Sequence, residues 1–186
     1  TRRNEYAKPQ LELVVAAPTL DELREYLTLN SERIKEILVE AQIEKRVELL
    51  RKKYSKKVDD DLKEVLGMSV RAPENMKATK KGERFLWGGT NLLEKDMNLV
   101  VYTYDWHGEE LVDTGRYVEI RDSVMKHNIP GSNEGQWMQT VRERENNHPL
   151  VECAEREING RKVMEARGLW EMRNGALGGP FVSISR

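Results

Sequence analysis

The chain has 186 residues, enough for one domain or two small ones; 34% are charged and 38% hydrophobic. A chain of this size buries roughly 70% of its unfolded surface, so its core needs no metal or disulfide staple. Thirty-one Lys and Arg face 32 Asp and Glu for a net charge of -1, which argues against nucleic-acid binding and against a basic face laid on a membrane.

One cysteine, Cys153, excludes an internal disulfide and suits either a reducing compartment or a periplasm. No apolar run approaches the ~20 residues of a membrane helix, and no leader pattern is present. Thr1 opens in polar sequence and residues 181–186 read as a strand cut short. Together the two ends suggest a processed or incomplete chain.

Residues 11–17 read as a first strand, ended by Pro18. Thr19 suits an N-cap for a helix from Leu20, and Asn30-Ser31 interrupts and recaps it. Leu20, Leu23, Leu27, Ile34, Leu38 and Ala41 share one face. Val39, Ile43, Val47, Leu50 and Tyr54 form a second stripe roughly opposite. Residues 59–61, all Asp, are expected to cap a short helix through Leu66, closed by Gly67. Strands are expected over 68–72, 84–88 and 98–104. A second helix capped by Asp113 or Thr114 runs to about His127 and ends at Ile129-Pro130-Gly131. Antiparallel strands over 136–142, 150–158, 161–172 and 181–185 complete the order.

Asn159-Gly160 is the preferred pair for a two-residue type I′ hairpin. The implied register sets Ile158 opposite Arg161 and Glu152 opposite Arg167. Val151 and Cys153 then share an apolar face with Met164, Ala166, Gly168 and Trp170, so Cys153 reads as a core thiol. The fold class is α+β: mainly antiparallel sheet packed against a long N-terminal helical region and a second helix. It is read as one domain over 1–186. The order strand, helix, strand, strand occurs twice, over 10–96 and 97–186, as duplication or chance would each produce.

Several uncommon strings occur in order: residues 6–10 (Tyr-Ala-Lys-Pro-Gln), 121–126 with Arg121-Asp122, 128–131 with Ile129-Pro130-Gly131, 167–172 with Arg167-Gly168 and Trp170, and Gly178-Gly179-Pro180-Phe181. With these the chain resembles the bacterial lipoprotein family called domain of unknown function 4837. The resemblance implies an upstream signal peptide and acylated cysteine, a further C-terminal strand and helix, and an outer-membrane setting. It implies no activity. Leu177 stands where the family has Met, and Trp137 where it has Tyr.

Catalytic patterns are scarce. His107, His127 and His148 are not in metal-binding spacing. The 105–110 loop groups Asp105, Trp106, His107 and Glu109, which could hold a metal or stack on a glycan, although turns are rich in such residues. Gly88-Gly89 and Gly178-Gly179 open no helix and so are not phosphate loops. The pair Arg121-Asp122 reads as a structural ion pair. Glu32, Glu36, Glu40, Glu44 and Glu48 form an i,i+4 ladder, either a solvated face or an acidic ridge for a basic partner.

No cofactor or metal is expected. The leading expectation is a non-enzymatic envelope lipoprotein that binds other envelope proteins, with Glu40, Ile43, Glu44, Val47 and Leu50 as the docking edge. Its only membrane tie would be a lipid anchor. The alternative is an envelope enzyme or glycan-binding protein using the 105–110 loop.

Overall fold

The structure, a computed structural model, describes residues 1–92, 96–105, 107–108, 113–142 and 150–186. The chain divides into two compact units, Thr1–Val101 and Tyr102–Arg186. The fold is α+β, with four helices and antiparallel sheets among the described residues.

In the first unit no residue before Ser55 is buried. Strand β1 (Arg2–Arg3) pairs with β2 (Leu11–Glu12). The strand expected over 11–17 contracts to β2 because the partner along it is only two residues long; beyond it the side chains alternate between half-buried and exposed without a ladder. Thr19 caps helix α1 (Leu20–Leu29), its Oγ1 accepting from the Glu22 N–H at 3.3 Å. Asn30 interrupts the run as expected. Its backbone N–H and its side-chain amide both donate to the Tyr26 carbonyl, at 3.0 and 2.9 Å. It makes no side-chain cap to helix α2 (Ser31–Lys52), so the recapping is backbone alone.

Helix α3 (Lys56–Leu66) is capped by Ser55, not by the aspartates. The Ser55 hydroxyl accepts from the Val58 N–H at 3.3 Å and donates to the Met76 carbonyl at 2.6 Å, a buried tie that starts the helix earlier. Asp59 and Asp61 therefore lie within the helix, buried and ion-paired to Lys63 and Lys57. Gly67, at φ +65°, closes the helix in the left-handed region. Residues 68–72 form no strand. The Ala72 carbonyl accepts from Ser55 N–H at 2.9 Å, and the Ser69 hydroxyl is held by Asp59.

Strand β3 (Ala78–Gly82) was not expected, because its side chains are almost all polar. It pairs with β4 (Phe85–Gly89) across a tight turn in which Arg84 takes φ +53°. Strand β5 (Asn98–Tyr102) extends the sheet in the order β3-β4-β5. Val58, Leu62, Ala72, Met76 and Leu86 form the core, with Leu66 and Val101 against it. Leu62 and Leu66 thus pack toward the sheet.

In the second unit, helix α4 (Thr114–Asn128) is capped by Asp113, whose Oδ1 accepts from Arg116 N–H at 2.9 Å. Strands β6 (Met138–Thr140) and β7 (Glu152–Ile158) pair with β8 (Arg161–Met172) at different points along it. Strand β9 (Gly178–Ser185) pairs with Met164–Glu171 of β8, so it takes the other edge. The hairpin register is as read: Ile158 faces Arg161 and Glu152 faces Arg167, with Asn159 at φ +52° and Gly160 at +73°. The charge pairing differs. Arg167 bonds Glu165 on its own strand at 2.9 Å, since residues two apart on a strand share a face. Tyr117, Val118, Val151, Met164 and Ala166 form this unit's core, with Cys153 and Phe181 half-buried against it.

Two stability tests follow from these contacts. Gly160→Val should cost about 1–2 kcal/mol in urea unfolding, because its φ is positive while the space around it is open. Asp61 is held down to about 2, chiefly by the Thr79 hydroxyl and then by Lys57 and Lys81, against its burial. A depressed carboxylate stabilises the fold above its unfolded value near 4, and that contribution is lost as pH falls toward 2. Asp61→Asn should lower stability at pH 7 and flatten its dependence between pH 4 and 2, as measured by urea unfolding across that window.

Candidate functional site

The buried polar groups of the second unit meet around Thr140 on β6. Arg121 and Asp122 follow each other on α4, roughly 100° apart around the axis, yet both reach this one residue. Arg121 Nη1 donates to Thr140 Oγ1 at 2.7 Å, and that hydroxyl donates to Asp122 Oδ1 at 2.6 Å. The Thr140 N–H adds a 2.8 Å bond to the same carboxylate oxygen. The other oxygen faces Arg142 at 3.4 Å. The Arg121 guanidinium also lies 4.3 Å from the centre of the Phe181 ring, where the face of the aromatic quadrupole attracts a cation. Each buried charge is thereby paired and hydrogen-bonded, the condition under which it is tolerated inside a fold.

Chemically the cluster is closed. The Thr140 hydroxyl is engaged as donor and acceptor, and the residue is only 4% exposed. Burial raises the Tyr102 phenol well above its ordinary range, reinforced by Tyr117 and opposed by Arg121. Burial also raises Tyr117, opposed by Ser183 and Arg121. Among the described residues the Tyr117 hydroxyl makes no hydrogen bond of good geometry.

The motif residues divide between this cluster and a second corner. A Cβ on Gly168 would stand 2.9 Å from the Phe181 ring, so glycine there is what lets Phe181 reach Arg121. Gly179 pairs with Trp170, Pro180 with Leu169, and Gly178 with Glu171. Arg167 points to the exposed side with Glu165. At the second corner Ile129 caps α4, Pro130 bridges Trp137, and Gly131 N–H donates to the Gln136 carbonyl at 2.8 Å. A side chain on Gly131 would overlap Gln136.

The predicted docking residues lie on α2. Ile43 is 57% exposed and Val47 42%, while Leu50 is half-buried. Glu40 and Glu44 are exposed. The ladder is partly engaged: Glu32 pairs with Lys35, Glu36 with Arg33, and Glu44 with Arg3. Asp105 and His107 are exposed. Trp106, Glu109, Glu110 and His148 lie outside the described residues. Among the described residues no group of His, Cys, Asp or Glu could hold a metal ion. Thr140, Tyr102 and Tyr117 were not singled out from the sequence, because burial marks them and no motif does.

A family model described as a domain of unknown function, DUF4837, matches residues 55–185. The match begins at Ser55, the first buried residue. Residues 6–10 and the long helix lie outside it. No curated protein matches, and no solved structure matches.

Removing the shared hydroxyl should expose how much the cluster holds. Thr140→Val leaves both Arg121 and Asp122 short of a partner and should destabilise the chain by about 3 kcal/mol. Thr140→Ser keeps the bonds and should cost under about 1 kcal/mol. Paired urea unfolding curves measure the contrast.

Proposed function

The chain belongs to the family of unknown function DUF4837, and on that footing we propose that it is a non-enzymatic binding or scaffold subunit of the bacterial cell envelope. In this reading it is a lipoprotein held at the outer membrane through an acylated cysteine upstream. It docks other envelope proteins along α2. Among the described residues no helix is long and apolar enough to cross a membrane, so attachment by a lipid is the simplest membrane tie. The buried Arg121–Thr140–Asp122 cluster supports a structural rather than catalytic use of the family motifs.

The observation that carries the reading is the state of α2. It runs 22 residues without a buried side chain. Leu38, Val39, Ile43, Val47 and Leu49 are each more than two-fifths exposed. Isolated helices are marginal in water, and tertiary packing of an apolar face normally sustains them. An exposed apolar run rimmed by charge is the usual mark of an interaction surface.

The test is affinity capture from native membranes, comparing wild type with the triple variant Glu40→Lys, Glu44→Lys, Val47→Asp. All three positions are exposed, and the Arg3–Glu44 ion pair on the surface is worth at most about 1 kcal/mol, so the variant should fold. Loss of co-purifying envelope proteins with an unchanged unfolding midpoint is expected. A folded variant that keeps every wild-type partner would show the docking reading to be wrong.

A further inference from the structure

Helices α1 and α2 carry opposite charge at opposite ends of one arm. In α1, Asp21, Glu22 and Glu25 outnumber Arg24. Over residues 45–53, at the other end, Lys45, Arg46, Arg51, Lys52 and Lys53 face only Glu48. Both ends also leave apolar side chains in water. In α1, Leu20 is 61% and Leu29 76% exposed, and Tyr26 and Leu27 are exposed as well.

On α2 the apolar hollows have basic rims. One, lined by Leu38, Val39, Ile43 and Leu49, has Lys45 and Arg46 beside it. Another, lined by Val47 and Leu50, has Arg51 and Arg71. Among the described residues no carboxylate lines either. The chemistry that fits these hollows is a short acidic amphipathic helix, and α1 is such a helix.

We infer that the downstream half of α2 is covered by α1 of a second copy of this chain, in an antiparallel two-fold pairing. The inference rests on reading α2 as a binding surface and names what occupies its downstream half. Two-fold symmetry makes the contact reciprocal, since each copy offers one acidic and one basic end. Ten residues of helix span ~15 Å, so α1 matches residues 44–53 in length. A pairing centred between residues 36 and 37 sets Asp21 and Glu22 beside Lys52 and Arg51 of the second copy. It sets Leu23 and Tyr26 beside Leu50 and Val47 of the second copy. Parallel pairing would instead put acidic end on acidic end and basic on basic. Like charges so juxtaposed repel, so charge selects the antiparallel arrangement.

Sedimentation of the intact protein tests this with two charge-swapped variants. The first is Asp21→Lys, Glu22→Lys, Glu25→Lys. The second is Arg46→Glu, Arg51→Glu, Lys52→Glu. The bond that Arg71 makes here is to the Arg51 carbonyl, so the second variant keeps that acceptor. At low salt the wild type should sediment as two chains and shift toward one as salt is raised. Each variant alone should sediment as one chain, and an equimolar mixture should regain two, because only the mixed pair restores opposite charges at both ends. Recovery in the mixture also shows that both variants are folded.

A wild type that stays single at all concentrations, swaps that leave the pair intact, or two variants that each lose pairing while folded and fail to recover it together would each overturn the inference. A wild type that stays single while the Glu40, Glu44 and Val47 variant still loses its envelope partners would overturn self-pairing alone and leave the docking reading standing.

Discussion

Apolar side chains need cover, and in the first fifty-four residues none is fully buried. Both hydrophobic cores close without them. One gathers Val58, Leu62 and Leu86 under the β3-β4-β5 sheet; the other gathers Tyr117, Val151 and Ala166 between α4 and the β8 sheet. Burying a large aliphatic side chain stabilises by roughly 1.5–3 kcal/mol. The exposed aliphatics of α1 and α2 therefore represent stabilisation that an outside surface can still supply. That the family match starts at Ser55 fits the same division between a closed fold and an arm that precedes it.

In the second unit the buried charges are organised by a single hydroxyl. Thr140 lets two consecutive, oppositely charged side chains of α4 be buried together, and Phe181 covers the guanidinium. Three of the uncommon strings then have one physical explanation. Gly168 makes room for Phe181, Pro180 and Gly179 carry β9 past Leu169 and Trp170, and Arg121-Asp122 supplies the charges. The pair that reads in sequence as a structural ion pair is the joint that fixes α4 to β6 and β9. A joint of this kind specifies one packing, because shifting either element leaves a buried charge unpaired.

What could be read from the sequence was local. Thr19 as a cap, Gly67 as a terminator and Asn159-Gly160 as a hairpin turn each depend on a few neighbouring residues and sit where expected, and of the two caps offered for α4 the structure takes Asp113. What could not be read depends on distant partners. The Ser55 cap is set by the Met76 carbonyl, 21 residues away. Strand β3 exists because β4 lies beside it, although its own side chains are polar. The strand expected at 11–17 lacks a neighbour long enough to extend it. The surface of α2 was legible as two stripes on one helix, and Glu40, Ile43, Glu44, Val47 and Leu50 could be named from periodicity alone. Which charge rims the hollows could not, since that needs the positions of Lys45, Arg46 and Arg71 and the pairing of Glu44 with Arg3.

The central proposal is that the apolar side chains the α1–α2 arm leaves exposed gain their cover from a second chain. Amide hydrogen exchange of the intact protein, followed at low and high protein concentration, tests it most directly, because a helix without buried contacts opens at little cost. Protection over residues 20–53 should be weak in dilute solution and rise with concentration, while residues 55–92 and 113–142 keep the same protection throughout. Strong protection of the arm that does not change with concentration would contradict the claim.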